Sequence, residues 1–268
     1  MTYSYYPGCT LSTKARKPDA FARACADALG FELVELDNWQ CCGAVYPLGC
    51  DDIVGKLPSV RALVQAKKDG RALVTLCAAC HHVLKRVNND MRHDADLRAV
   101  VAAYDAELEY DGSVEVLHYL EVLQRHVGFD TIKGRVTDAL KGRKIGAYYG
   151  CMLLRPSSIM AFCDPENPTI FEDFIRAVGA VAVVYPQRNE CCGGYIALKE
   201  PEKSAVMAAG VAASAKGRGA QELITACPLC QYNVAQNCGD DVEVRYFTEI
   251  LAEALGISLE GSGADDKN

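Results

Sequence analysis

No stretch of this chain approaches the roughly 20 consecutive apolar residues needed to cross a bilayer. Its longest apolar runs, such as Gly179 to Tyr185, have the length of a strand. Met1 leads directly into Thr2-Tyr3-Ser4-Tyr5-Tyr6, without the basic region, apolar segment and cleavage site of a secretory signal. A cytoplasmic chain without direct membrane insertion is therefore expected. A dense Lys/Arg block is also missing, and 28 basic against 35 acidic side chains leave a net charge of −7. Nucleic acids and anionic membranes are thus disfavoured as partners. There is neither a ferredoxin-type Cys-x-x-Cys-x-x-Cys-x-x-x-Cys-Pro run nor a Gly-x-Gly-x-x-Gly dinucleotide fingerprint, so no flavin or NAD is expected on this chain. Cysteine is what the chain has in excess, with 14 in 268 residues. Without a secretory signal, metal binding or redox chemistry explains that number better than a disulfide framework.

The cysteines disclose an internal duplication. Cys9 is followed after 31 residues by Cys41-Cys42-Gly43, and after 34 more by Cys77-Ala78-Ala79-Cys80. Cys151 is followed after 39 residues by Cys191-Cys192-Gly193, and after the same 34 by Cys227-Pro228-Leu229-Cys230. Flanking text repeats as well. Tyr5-Tyr6-Pro7-Gly8 answers Tyr148-Tyr149-Gly150, Leu73-Val74-Thr75-Leu76 answers Leu223-Ile224-Thr225-Ala226, and Val114 to Tyr119 answers Val242 to Phe247. The expected units are a first lobe over 1–141 and a second over 142–260, joined through Asp130 to Gly142. The small polar tail 261–268 is expected to be disordered.

Each half alternates short apolar strands with helical periodicity. The first reads as strand Thr2 to Tyr6, helix Pro18 to Leu29 stopped by Gly30, strand Phe31 to Leu36, helix Ser59 to Asp69, strand Leu73 to Leu76 and strand Val114 to Leu117. The second reads as strand Lys144 to Tyr149, helix Thr169 to Val178, strand Ala180 to Tyr185, helix Lys199 to Lys216 and strand Glu222 to Ala226. The segments after Val114–Tyr119 and Val242–Phe247 are apolar and helical. This pattern predicts an α/β fold of two duplicated strand–helix lobes with parallel sheets. Sites in such sheets form at the carboxyl ends of strands, and Cys9, Cys77, Cys151 and Cys227 each follow a predicted strand.

Converging thiolates suit zinc, copper(I) or iron–sulfur clusters. A zinc site or an ordinary cubane takes four ligands, whereas each half offers five, including an adjacent pair. A vicinal disulfide would leave the other three unexplained. Cys25, Cys50, Cys163 and Cys238 have no counterpart in the repeat and are expected to pack as small hydrophobes.

The repeated Cys…Cys-Cys-Gly…Cys-x-x-Cys pattern resembles the CCG domain, and two copies in a chain of this size resemble the B subunit of heterodisulfide reductase. That resemblance implies a noncubane [4Fe–4S] cluster in each half. One would be held by Cys9, Cys41, Cys42, Cys77 and Cys80, the other by Cys151, Cys191, Cys192, Cys227 and Cys230. It also implies lobes related by a pseudo-two-fold, with clusters facing each other and a disulfide bound between them, such as the mixed disulfide of coenzymes M and B. Partners would be the other two members of the heterodisulfide reductase complex: an iron–sulfur subunit carrying ordinary cubanes, and a flavoprotein subunit able to bifurcate electrons.

Lys14, Arg16 and Arg155, with Lys17 beside them, are candidate binders of an anionic substrate. His81 and His82 follow Cys80 and are candidate proton donors, with helix capping or hydrogen bonding as the plainer role. His118 aligns with Tyr246 and is expected to pack, while His93 and His126 read as surface. Two other readings compete: an electron-transfer subunit of a lactate, glycolate or glycerol-3-phosphate oxidoreductase, and a structural zinc protein.

Overall fold

The computed structural model describes residues 1–44, 53–239 and 242–259. Two four-stranded sheets carry the chain, and every strand pairing is parallel. The first sheet contains β1 (Thr2–Tyr6), β2 (Glu32–Glu35), β3 (Leu73–Thr75) and β4 (Val116–His118) in the order β2-β1-β3-β4. The second contains β5 (Lys144–Tyr148), β6 (Val181–Val183), β7 (Glu222–Thr225) and β8 (Glu243–Tyr246) in the order β6-β5-β7-β8. Identical order in both sheets gives the duplication a structural form. The central strands are buried on both faces, β3 and β7 throughout and β1 and β5 beyond their first residue, whereas the edge strands β2 and β6 are partly exposed. Burial of both faces is why the central strands read as apolar runs and not as alternation.

Helices link the strands, as parallel pairing demands. Arg16–Leu29 joins β1 to β2 and ends at Gly30, whose φ of 83° is the left-handed stop expected there. Ile170–Ala177 and Pro201–Gly217 do the same work in the second sheet. Most boundaries shift by one to three residues from their sequence reading, and one shifts further. The helix expected from Ser59 starts at Ile53 and carries Pro58 inside it, since a proline near the start removes a single intrahelical bond and does not stop the helix. Two further helices, Ala78–His93 and Pro228–Asn237, begin immediately after Cys77 and Cys227.

The lobes share one core. Phe247, at the start of the helix after β8, packs its ring against His118 and Tyr119 of the first lobe and against Phe171 and Phe174 of the second. Polar contacts cross the same boundary. The Thr248 hydroxyl donates to the Pro18 carbonyl (2.9 Å), and the Ala78 amide donates to the Ala226 carbonyl (2.8 Å). The Tyr246 hydroxyl donates to the Leu76 carbonyl (2.8 Å), which also accepts from His118 Nε2 (2.9 Å). His118 and Tyr246, aligned in the repeat, thus converge on one carbonyl directly before Cys77. His118 Nδ1 accepts from the Leu120 amide, which leaves the ring proton on Nε2.

Candidate metal centre

Both Cys-x-x-Cys segments occupy helix starts: Cys77 and Cys227 are the N-cap residues of Ala78–His93 and Pro228–Asn237, and Cys80 and Cys230 lie in the first turns. Free amides and the positive end of the helix dipole make this a place where a thiolate is stabilised. The opposite wall comes from the turns after β1 and β5 and from the Cys-Cys-Gly loops. Gly8 has φ 78°, and a Cβ there would stand 2.7 Å from Cys80 Sγ, so only glycine lets Cys9 approach. Tyr6, at the end of β1, donates its hydroxyl to the Gln40 carbonyl (2.5 Å), and Tyr148, at the end of β5, donates to the Glu190 carbonyl (2.9 Å). Each carbonyl immediately precedes a Cys-Cys pair, so the two tyrosines hold the two loops in register with their sheets.

The ten repeated thiols meet in sequence. In the first lobe Cys41 Sγ lies 3.4 Å from Cys9 Sγ and Cys42 Sγ 3.6 Å from Cys80 Sγ. In the second, Cys192 Sγ lies 3.5 Å from Cys230 Sγ, and the Cys151 and Cys191 thiols also bond. Cys80 interacts with Cys77, Cys230 with Cys227, and Cys77 with Cys227 across the lobe boundary. The result is a near-symmetric run of sulfurs with its middle at the boundary. The middle is buried, Cys9 and Cys41 are exposed, and Cys151 and Cys191 are half-buried.

Sulfurs packed this closely cannot all ionise, and their acidities split. The Cys41 thiol and then the Cys80 thiol donate to Cys42 and hold it down to about 3. The Cys151 thiol holds Cys191 at about 6. Hydrogen bonds from Cys230 lower Cys192 and Cys227. The donors are driven the other way: Cys41 and Cys80 rise because each shares its proton with Cys42, Cys151 with Cys191, and Cys230 with Cys192. Cys77 rises chiefly through its hydrogen bond with Cys227. A cationic group binding all ten as thiolates would displace those retained protons.

The donor set fits an iron–sulfur group. It is all sulfur, and the close approaches are pairwise, near the ~3.8 Å that separates two thiolates on one tetrahedral metal with 2.3 Å bonds. Among the described residues no three His, Cys, Asp or Glu side chains converge on a single point as a one-ion site requires. Two pairs with a fifth thiol beyond them at the lobe boundary suit a group with several metal atoms, each taking one or two thiolates. Every described cysteine is free, so neither Cys41-Cys42 nor Cys191-Cys192 is a vicinal disulfide.

The other residues of interest fall in different places. Lys14, Arg16 and Lys17 are exposed beyond Cys9; Arg16 Nε donates to the Ser12 carbonyl (3.1 Å), and Lys17 pairs with Glu249 at 3.8 Å. Arg155 is half-buried and committed, donating to the Asn189 carbonyl (2.9 Å) and to Glu166 (3.0 Å). His81 and His82 lie buried on the helix after Cys77. His81 Nε2 stands 3.3 Å from Glu121, and His82 Nδ1 lies 3.2 Å from the Met152 carbonyl. Burial lowers both, and holds His82 at about 4. His93 is exposed. His126 is not plain surface: its ring stacks on Tyr3 at 5.7 Å, an interplanar angle of 4°, because the helical turn Leu123–Val127 brings it over β1. Cys25 and Cys238 are buried and Cys163 half-buried; Cys50 and the tail 261–268 lie outside the described residues.

A family model described as "Cysteine-rich domain", CCG, matches residues 3–85 and again residues 145–235. Over 270 residues the chain is 29% identical to the 8-methylmenaquinol:fumarate reductase membrane anchor subunit of Wolinella succinogenes, covering 97% of this chain and 94% of that one. It is 27% identical over 276 residues to the B subunit of the ferredoxin/F(420)H(2)-dependent CoB-CoM heterodisulfide reductase of Methanosarcina acetivorans, covering 98% and 92%. Identity is 28% over 274 residues to a protein of Archaeoglobus profundus described as like the heterodisulfide reductase B subunit, covering 96% and 92%. Among solved structures, a hypothetical protein from Helicobacter pylori superposes with a TM-score of 0.71 at 11% identity, over 97% of this chain and 50% of that one. The chain therefore spans about half the length of that structure, and the likeness concerns the fold. No helix among the described residues is long and apolar enough to cross a membrane.

Proposed function

Because the chain belongs to the cysteine-rich CCG domain family, with one copy in each lobe, we propose that it is the iron–sulfur subunit of a disulfide reductase complex, holding one cluster per lobe. The observation that carries this reading is the continuous run of ten thiols, joined across the lobe boundary at Cys77 and Cys227. Each bound cluster, of the noncubane [4Fe–4S] type, would supply one electron at a time, and splitting a disulfide takes two.

The chain's own residues do the rest. Tyr6 and Tyr148 hold the Cys-Cys-Gly loops against the sheets, and the paired helix starts bring two cysteine sets to one boundary. Burial of Cys77, Cys80, Cys227 and Cys230 keeps water from the middle of the run. Lys14 and Arg16 lie exposed at its Cys9 end, where the sulfonate, carboxylate or phosphate of an anionic disulfide would be met. Arg155, already engaged by Asn189 and Glu166, orders the insertion after Cys151. Its substrate role would require leaving those partners. His81 and His82 are buried, which lowers the proton affinity of both, and they bear on the site through the helix they occupy. The mixed disulfide of coenzymes M and B, and disulfides related to it, form the substrate class. Electrons arrive from a cubane-bearing partner and a flavoprotein partner in the cytoplasm. A relay role, passing electrons to another subunit's active site, is favoured by the fumarate reductase relative alone.

Anaerobically purified, reduced protein mixed with an unsymmetrical disulfide tests this. The expected result is reoxidation of both centres, read as recovery of their visible absorption, with two thiols formed per two electrons lost. Reduced protein that reoxidises only when a partner flavoprotein is added would establish the relay role instead.

A further inference from the structure

One polar group at the lobe boundary is unpaired. The Tyr195 hydroxyl is buried, and no hydrogen-bond partner among the described residues reaches it. A buried hydroxyl left without a partner is costly, so its position calls for a ligand atom. The tyrosine lines a cleft with Cys151, Cys191, Cys227 and Cys230 of its own lobe and Ala78 of the other. Burial first, and then the sulfurs of Cys227, Cys77, Cys151 and Cys230, push its ionisation above the usual tyrosine range. The side chain therefore faces sulfur from both lobes and keeps its proton.

Its placement follows from the loop. Gly193, at φ 79°, turns the chain where a Cβ would stand 3.0 Å from Ser204 Cα, and the short turn Gly194–Ile196 then directs Tyr195 inward. At the aligned positions the second copy reads Cys192-Gly193-Gly194-Tyr195 and the first Cys42-Gly43-Ala44-Val45-Tyr46, of which Val45 and Tyr46 lie outside the described residues.

We propose that Tyr195 is a catalytic residue that contacts the substrate, its hydroxyl donating a hydrogen bond to one sulfur of a disulfide held between the two cysteine sets. This rests on the disulfide-reductase reading. The hydrogen bond strengthens as that sulfur takes on charge, and Tyr195 itself transfers neither proton nor electron.

The test is Tyr195→Phe in the iron-loaded chain, with reduced methyl viologen as electron donor and aryl disulfides of graded thiol acidity as probes. Iron and sulfide content is expected to match wild type. For the least acidic thiol kcat/KM is expected to fall roughly ten- to a hundredfold, with the loss shrinking as the leaving thiol becomes more acidic. Without turnover, the coloured thiolate 5-thio-2-nitrobenzoate is expected to bind the oxidised variant about tenfold more weakly, measured by equilibrium dialysis. Unchanged binding, or a loss equal across the series, would overturn the role of Tyr195 while wild type still reduces the disulfides. Wild-type protein that holds iron and sulfide but reduces no disulfide would instead remove the reading beneath it.

Discussion

Chains carrying Ser at both Cys77 and Cys80, or at both Cys227 and Cys230, are each expected to retain about half of the wild-type iron and sulfide. Each is also expected to lose disulfide reduction by roughly a thousandfold or more. One lobe's set can bind without the other, since each lobe brings its own five thiols from its own sheet. Reduction cannot proceed with one, because a single electron leaves the second sulfur as an unpaired radical. The substitutions are chosen so that folding and metal loading separate: Ser is a favourable residue at the helix N-cap that Cys77 and Cys227 occupy. Circular dichroism is expected to match wild type, and iron content and rate are the measurements. A one-lobe chain that still reduced disulfides at near the wild-type rate would mean that the lobes do not act as a pair.

Replacing Glu121 by Ala is expected to destabilise the chain by about 3–5 kcal/mol, the usual cost of stripping one partner from a buried charged group. Glu121 is fully buried. Its Oε2 accepts from the His118 amide (2.8 Å) and stands 3.3 Å from His81 Nε2, and Arg125 Nη2 lies 2.7 Å from Oε1. Glu121→Gln keeps the shape and is expected to cost less. Burial alone would raise this carboxyl, but the hydrogen bond and charge of His81, then the charge of Lys85, outweigh it and hold the group at about 2.

The sign with pH follows from that value. Glu121 binds its proton more weakly folded than unfolded, so its contribution is complete above about 4.5 and is lost as pH falls toward 2. His118, kept neutral by burial with a pKa of about 3, acts in the same direction over a higher window. The unfolded imidazole takes a proton near 6.5 and the folded one does not, so stability declines from there toward 3. Urea unfolding at descending pH is expected to show a falling midpoint beginning near 6.5. A midpoint flat down to about 4.5 would contradict a buried, neutral His118.

Much of this was readable in the sequence because it depends on short-range pattern. Apolar runs buried on both faces gave the strands away, and identical cysteine spacing after equivalent strands disclosed the duplicated sheet and the convergence of thiols. The helix that follows Cys77 carries a usable signal in Val83, Leu84, Val87 and Met91, all buried at helical spacing.

What escaped the sequence depends on partners distant along the chain. Glu121 meets His81 from 40 residues earlier. Arg155 looked available until Asn189 and Glu166 took its guanidinium. Tyr6 and Tyr148 stood in the repeated text as strand residues, and only their bonds to the carbonyls before each Cys-Cys pair disclose their work. Tyr195 acquires meaning only when the other lobe closes over it.

Iron and acid-labile sulfide per chain, measured on protein kept free of oxygen from lysis onward, tests the central claim most directly. Two clusters held by two five-thiol sets require about eight iron and about eight sulfide per chain. Zinc without sulfide, or iron and sulfide amounting to a single cluster, would contradict it.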